Sequence, residues 1–215
     1  MSQQATPKRK YHSRRREEQA RETKRRILDA ALLLFFRHGY TGATMEAIAQ
    51  EADVAPLTVY AAFGNKASLL SALVAVSVGG DDQSIPLLQR PEPQAVLHET
   101  NPIVQIRRFA TNISDILERV APIVEIMRMA AKTEPDIAVA LEALLERRFR
   151  NLSVFVQALA THTSLREGLN EEAATEIVWT IAGPDVYRLL TTDRGWSKDR
   201  FAQWLGDSLT RLLLP

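Results

Sequence analysis

The sequence predicts an all-α protein with an N-terminal helix-turn-helix head, a linking helix and a C-terminal helical body. Apolar residues recur at the i, i+3, i+4, i+7 spacing of amphipathic helices through most of the chain. Two such stretches lie between Thr44 and Lys66, and the segment Asp53-Val54-Ala55 that separates them is short enough only for a turn. No stretch shows the alternating pattern of a β-strand.

Composition and charge exclude some classes of function and favour nucleic-acid binding by the head. The chain has 215 residues, which is enough for one or two domains, and it has no cysteine, which excludes disulfides, thiolate catalysis and Cys-ligated zinc. Residues 1–66 contain 12 Lys/Arg and 7 Asp/Glu, a net charge of +5, whereas residues 67–215 contain 15 and 19, a net charge of −4. A basic head on an acidic body is typical of a nucleic-acid-binding head joined to a body that binds something else.

The N-terminus predicts a cytoplasmic protein. Residues 1–15 are polar and basic, without the apolar segment of a secretory signal, and no apolar run is long enough to span a membrane. We expect these residues to form a disordered basic arm. The arm is either a solvated tail or a segment that follows phosphates or enters the minor groove, and the sequence leaves both open.

The first helix is predicted from about Arg16 to His38. It should end at Gly39, which can adopt a left-handed conformation, so that Tyr40 packs back on Phe35. Three basic residues lie on its exposed side and are either solvated or in contact with phosphate: Lys24, Arg25 and Arg26.

The next two helices are short. Thr44 is a suitable N-cap for the first, and Pro56 suits the first position of the second, where no backbone N–H is needed. At about 100° per residue, the second helix turns Leu57, Thr58 and Ala61 outward. A small, neutral outward face favours a helix that enters the DNA major groove. An ordinary helical hairpin within an all-α core remains the alternative.

The head resembles the DNA-binding domain of the TetR family of transcriptional repressors, over roughly residues 20 to 72. The residues that carry the resemblance are Ile27, Leu28, Ala30, Ala31, Leu34, Phe35, Gly39, Tyr40, Thr44, Ile48, Ala49, Ala52, Val54, Thr58, Val59, Tyr60, Phe63 and Lys66. Ala55 and Ala62 depart from it, because the family often has a serine N-cap and a polar residue at these positions.

The resemblance implies a homodimer that binds a near-palindromic operator and is released by a small effector. It places Pro56, Leu57 and Thr58 against bases or the adjacent phosphate, and Tyr60 against the backbone or a thymine methyl. Phosphates are then held by two further residues, Thr44 and Lys66.

Beyond the head, a linking helix begins at Asn65 and ends near Gly79 and Gly80. The proline-rich segment 79–102 is predicted as a loop with one or two helical turns, and it gives the domain boundary: 16–78 for the TetR-type head and 79–215 for an effector-binding and dimerisation domain. In the body, Pro122 should bend or restart a helix that opens at Pro102.

Dimerisation is predicted through the last two helices, roughly 170–192 and 197–214, whose apolar faces are broad. Four aromatic residues are expected as interface anchors, with the monomer core as the alternative: Trp179, Tyr187, Trp196 and Trp204. Gly206 indicates a close helix–helix approach.

The effector pocket is predicted among the central helices. Its candidate lining residues are Phe109, Ile113, Ile123, Met127, Met129, Phe155 and Trp179, each of which is alternatively plain core. Their character favours a largely apolar ligand, with Arg128 as a candidate partner for an anion.

No catalytic or metal-binding pattern is found. The histidines (His12, His38, His98 and His162) are scattered, and there is no glycine-rich phosphate loop or nucleophile elbow. We therefore expect no enzyme activity, no metal and no cofactor. The alternative to a regulator is a helical protein–protein adaptor that retains the fold without specific DNA binding, which the loss of polar groups at Ala55, Ala61 and Ala62 favours.

Overall fold

The computed structural model describes the backbone of residues 8–215 and the side chains from Arg15 onward. Within this range the chain is helical, with one 3₁₀ turn, one π turn and no strand, which confirms the predicted fold class. The elements are α1 (Lys8–Gly42), α2 (Met45–Glu51), α3 (Pro56–Phe63), α4 (Lys66–Gly79), the 3₁₀ turn Leu87–Gln89, α5 (Pro91–Leu97), α6 (Pro102–Ala130), α7 (Pro135–Ala160), α8 (Glu171–Ile181), α9 (Pro184–Arg188), the π turn Leu189–Asp193 and α10 (Lys198–Leu213).

The chain divides into two compact units between Leu73 and Val74, inside α4. The first unit is the head and the second is the body. The sequence analysis drew the boundary after residue 78, where the glycines end the helix. The helix α4 has buried side chains in both units, Leu69 and Leu70 in the head and Val74 in the body.

The first helix begins earlier than predicted. Residues 1–7 of the predicted arm lie outside the described residues, whereas Lys8–Arg15 already belong to α1, so that the predicted start at Arg16 was wrong. This stretch has no proline and is rich in Lys and Arg, which favour helix. The predicted break at Gly39 is confirmed, because Gly39 has a non-helical backbone with a φ of 68°, and only a short further turn continues to Gly42. The rings of Phe35 and Tyr40 stack with centroids 5.7 Å apart.

Side-chain caps fix four of the predicted helix starts. Each cap oxygen accepts a backbone N–H three residues further along, at 2.7 to 3.2 Å. These bonds satisfy donors that would otherwise have no partner in the first turn. The caps are Thr44, Asn65, Asn170 and Ser197.

The body is built on two long helices, with α10 packed on α6 and α8 on α7. The helix α6 does not restart at Pro122 but continues through it, and the alternative, a bend at this residue, stays a prediction. A proline removes only one backbone hydrogen bond, and buried side chains continue on both sides of it, at Val120 and Ile123. Fully buried side chains of the body include Ile106, Leu117, Ile123, Met127, Ile137, Leu159 and Phe201.

No single helix in the described part of the chain is long and apolar enough to cross a membrane. The helices α3 and α4 meet the length and composition criteria only as a pair, and a bend of 67° separates them.

Candidate functional site

The second helix of the predicted motif exposes the residues that were assigned to DNA. Val59 is fully buried and anchors α3 in the head core. On the outer side Leu57 is 78% exposed and Tyr60 is 41% exposed, with exposed Pro56 at the first helical position and half-buried Thr58 beside them. The structure therefore brings four of the predicted DNA-binding residues to one short helix.

The turn before α3 is held by an arginine of α1. Arg26 donates from Nε and Nη2 to the carbonyl oxygen of Ala52 at 3.1 and 2.6 Å, and Nη2 also donates to that of Asp53 at 2.6 Å. Asp53 has a φ of 51°, a left-handed conformation. A cation at this helix end satisfies carbonyls and interacts favourably with the helix dipole. The sequence analysis missed this role; the available signal is that α2 has no basic residue in its own last turn.

Tyr60 is tied to the first helix of the motif. Its hydroxyl donates to Oε1 of Glu46 at 2.9 Å. The backbone N–H of Glu46, followed by this hydroxyl, holds the pKa of the Glu46 carboxyl below its usual value. The same side-chain hydrogen bond raises the pKa of the Tyr60 phenol. The phenol is therefore a protonated donor at neutral pH, and α2 fixes its position on α3.

The two predicted phosphate-binding residues have structural partners within the head. Nζ of Lys66 donates to the carbonyl oxygen of Tyr40 at 2.8 Å and lies 4.3 Å from the centre of the Tyr40 ring. The hydroxyl oxygen of Thr44 accepts the N–H of Ala47 at 3.0 Å as an N-cap. Both residues stabilise the motif, and their contact with phosphate stays a prediction.

The body contains a cavity of about 110 Å³ whose wall is almost entirely apolar. Three of the predicted pocket residues, Phe109, Ile113 and Phe155, line it, and the two phenylalanine rings stack with centroids 3.9 Å apart. The polar lining residues are Asn112, Arg147, Arg148 and Asn151. The cavity is apolar with a few polar groups in its wall, as small-molecule sites usually are.

The other predicted pocket residues lie outside this cavity. Met129 is 67% exposed, because at about 100° per residue it faces the opposite side of α6 from Ile113. Met127 and Ile123 are core residues, each 1% exposed. Trp179 is half-buried beside the cavity wall, where its backbone carbonyl accepts a hydrogen bond from Arg148.

Sequence reasoning missed the lining residues that come from α4, α5 and the segment between them. The segment 79–102 was predicted as a loop with one or two helical turns, and the 3₁₀ turn Leu87–Gln89 and α5 confirm those turns. The missed lining residues are Val78, Leu87, Leu88, Pro93, Val96 and Leu97. Arg128, the predicted anion partner, does not line the cavity and instead pairs with Asp185 at 2.9 Å.

Comparison with known proteins identifies the head. The family "Bacterial regulatory proteins, tetR family" matches residues 27–73. The HTH-type transcriptional regulator YvkB of Bacillus subtilis is 43% identical over 54 residues, which are 25% of this chain and 29% of that protein. The head therefore resembles the DNA-binding domain of TetR-family regulators.

The similarity to YvkB spans less than a third of that regulator's length, and it does not extend over the body. Solved TetR-family structures share the whole fold. A TetR-family transcriptional regulator from Mesorhizobium loti superposes with a TM-score of 0.68 and 18% identity, over 91% of this chain and 98% of that one. FadR from Bacillus subtilis in complex with stearoyl-CoA gives 0.63 and 17%, over 86% and 96%. At such identities the likeness shows the fold alone.

The TetR-family relatives are transcriptional regulators, in agreement with the prediction that the chain is not an enzyme. Among the side chains that the structure describes, from Arg15 onward, no three His, Asp or Glu groups lie close enough to hold a metal ion.

The C-terminal helices bury much of the apolar face that was predicted to dimerise. Tyr187 is 7% exposed and its ring meets that of Phe201 edge-on at 4.9 Å, so Tyr187 is a core residue and not an interface anchor. Gly206 is buried and faces Ala110 of α6, and the close approach that it indicated is within the chain. Trp179, Trp196 and Trp204 are half-buried and keep part of their surface accessible.

Proposed function

We propose that this chain is a homodimeric, sequence-specific DNA-binding repressor of the cytoplasm, released from its operator by a small, largely apolar effector. The observation that carries the proposal is the outer face of α3, where Leu57 and Tyr60 are exposed although α3 is anchored by fully buried Val59. A solvated helix has no need of such a face, whereas the floor of a major groove accommodates it.

The dimensions of α3 suit that role. An α-helix with its side chains is about 10–12 Å in diameter, which fits a major groove about 12 Å wide, and the eight residues of α3 give about two turns within it. Pro56, Leu57 and Thr58 at its start read bases or bind the adjacent phosphate, and Leu57 packs on a thymine methyl. Tyr60 binds backbone or a thymine methyl.

Phosphates position this helix. Thr44 and Lys66 stand at the N-termini of α2 and α4, where N–H groups and the helix dipole already attract an anion. Such contacts fix the register of the protein on the duplex without reading its sequence.

A dimer would present two α3 helices to successive major grooves about 34–36 Å apart. The proposed interface uses the last two helices, where apolar surface remains on Leu189, which is 50% exposed, and Leu212, which is 36% exposed. The half-buried tryptophans Trp179, Trp196 and Trp204 lie on the same part of the chain.

The effector would occupy the cavity of the body. Val78, the penultimate residue of α4, lines that cavity, and Arg119 of α6 donates to the carbonyl oxygen of Ser77 at 2.9 Å. The helix that supplies these residues also carries Lys66 at its other end. An effector that lowers operator affinity must itself be bound more weakly by the DNA complex.

The test is a selection of bound duplexes from random DNA with the full-length protein at two salt concentrations. We expect recovery of a near-palindrome with half-sites one helical turn apart, and the same sequence at both concentrations. Recovery of sequence-blind DNA that dissociates with salt would contradict the proposal and favour the adaptor. The second salt concentration is needed because a protein that contacts only phosphates binds every DNA sequence, and that binding weakens with salt.

A further inference from the structure

The wall of the body cavity has an unbalanced charge. It includes Arg147 and Arg148 but no Asp or Glu, and the rest of the wall is apolar apart from Asn112 and Asn151. Arg147 is exposed and solvated. Arg148 is the group that would feel the charge of a ligand, since its guanidinium is largely buried.

Arg148 is only partly satisfied by the protein. Its Nη2 donates to the carbonyl oxygens of Trp179 at 2.6 Å and Ala182 at 3.0 Å, at the C-terminal end of α8. Its Nε is buried and has no hydrogen-bond partner, and its guanidinium forms no ion pair in the described part of the chain. Asp185, the carboxylate that acts on it most strongly, is paired with Arg128 at 2.9 Å.

This environment disfavours the charged form of the arginine. Burial lowers the pKa of Arg148 to about 10, although Asp185 opposes the shift. An anion placed in the cavity would stabilise the guanidinium, whereas a cation would add repulsion to the cost of burial. Ligand charge is therefore a property on which the cavity can discriminate.

Two amides complete the polar part of the wall. The side chains of Asn112 on α6 and Asn151 on α7 make no hydrogen bond with any described residue. Asn151 and Arg148 are three residues apart, so they share a face of α7. Both amides can donate to carboxylate oxygens.

Resting on the effector-binding role proposed above, we propose that the effector is an amphipathic anion, with its apolar body against Phe109, Ile113 and Phe155 and its carboxylate held by Arg148. Asn112 and Asn151 donate to the same carboxylate. A cavity of about 110 Å³ is close to the size of engineered cavities that admit benzene, so the apolar body includes a group of about one ring.

The test uses three probes that differ only in the head group: 4-phenylbutyrate, 4-phenyl-1-butanol and 4-phenylbutylamine. Titration calorimetry of the full-length protein at neutral pH gives the three dissociation constants. We expect the carboxylate to bind about tenfold or more tightly than the alcohol, the gain of a hydrogen bond to a charged group, and the amine to bind most weakly.

Variants assign the preference to one side chain. Arg148→Gln should remove the tenfold gap and leave the affinity for the alcohol within about twofold. Arg147→Gln, which changes the neighbouring exposed arginine, is the matched control and should retain the gap, and Arg148→Lys should keep a preference for the anion. Because Arg148 also caps α8, circular dichroism accompanies each variant, and the wild-type series decides the ligand charge without any variant.

The outcomes separate the two proposals. Equal binding of all three probes, or tightest binding of the amine, would overturn the anionic ligand and leave an effector-binding body intact. A preference for the anion that survives in folded Arg148→Gln would overturn the assignment to Arg148. If no probe binds wild type at millimolar concentration, the cavity is not an effector site and the proposed release mechanism fails with it, whereas the DNA selection tests the head independently.

Discussion

Arg26 in the head and Arg148 in the body both donate hydrogen bonds to carbonyl oxygens at a helix end, but their surroundings differ. Each donates to two carbonyl oxygens at the C-terminal end of a short helix, Arg26 at the end of α2 and Arg148 at the end of α8. Arg26 is exposed, so water reaches its other donors, whereas Arg148 is half-buried and its Nε is buried without a partner. An exposed arginine at a helix end can complete its hydrogen bonds with water, whereas a buried donor without a partner is a polar group that a ligand can satisfy.

The largest expected effect is on stability. Arg148→Ala should lower the free energy of unfolding by about 3 kcal/mol, because it removes two charge-assisted hydrogen bonds and leaves the carbonyls of Trp179 and Ala182 short of a partner. Arg26→Ala should have a clearly smaller effect, because water can replace its hydrogen bonds. Urea denaturation of both variants measures the difference, and a larger loss for Arg26→Ala would break the comparison.

Operator binding should depend more on Arg26 than on Arg148, which is the opposite of the order expected for stability. Arg26→Ala loosens the turn that orients α3 and should weaken operator binding several-fold, whereas Arg148→Gln should leave operator affinity within about twofold and abolish the response to 4-phenylbutyrate. Fluorescence anisotropy of labelled operator, with and without the probe, measures both. Equal loss of operator affinity in the two variants would show that the regions do not have separate roles.

Lys66 extends the comparison to a cation that donates to the carbonyl oxygen of Tyr40 and is predicted to contact phosphate. Lys66→Ala should weaken binding to all sequences alike and lower the salt slope by about 1, because one phosphate contact is lost. Arg150→Ala, which removes an exposed arginine of α7 paired with Glu146 at 3.9 Å, is the control and should leave the salt slope unchanged. An unchanged salt slope in Lys66→Ala would restrict Lys66 to its contact with Tyr40.

The smallest effect concerns the exposed pair of Glu46 and Tyr60. The pKa of Glu46 is below its ordinary value of 4.5, so the hydrogen bond stabilises the head above pH 4.5, and this contribution is lost as the pH falls below that value. In Glu46→Gln this pH dependence should disappear, and the pKa of Tyr60 should fall toward its ordinary 10.0. Ultraviolet titration of tyrosinate, with Tyr60→Phe to assign the signal, checks the second point. An unchanged Tyr60 pKa in Glu46→Gln would contradict the hydrogen bond between the Tyr60 hydroxyl and the Glu46 carboxylate.

The head could be predicted from the sequence more completely than the cavity of the body. The motif in the head could be predicted because its residues are close in sequence: Thr44, Pro56 and Val59 lie within a few helical turns of one another. The structure confirms Thr44 as a cap, Pro56 as a helix start and Val59 as a buried anchor. The family resemblance is confirmed over the same segment.

The cavity was readable only in part, because it depends on how distant helices pack. Phe109, Ile113 and Phe155 share inward faces and were found, but Met129 was chosen by residue type and lies on the opposite side of α6. Arg148 was missed because no local pattern shows that an arginine in a charged run, Glu-Arg-Arg, is the buried one. Tyr187 was misplaced for the same reason, since an aromatic residue suits a core and an interface equally well.

The most direct test of the central claim, that the outer face of α3 reads DNA, is the affinity of Tyr60→Ala for the selected operator in a gel-shift assay. Phe36→Ala is the matched control, because Phe36 is an aromatic residue of the head that is 52% exposed and lies on α1. The account predicts that Tyr60→Ala loses at least about tenfold in operator affinity with unchanged circular dichroism, and that Phe36→Ala stays within about twofold. Unchanged operator affinity in Tyr60→Ala would contradict the assignment of this face to DNA.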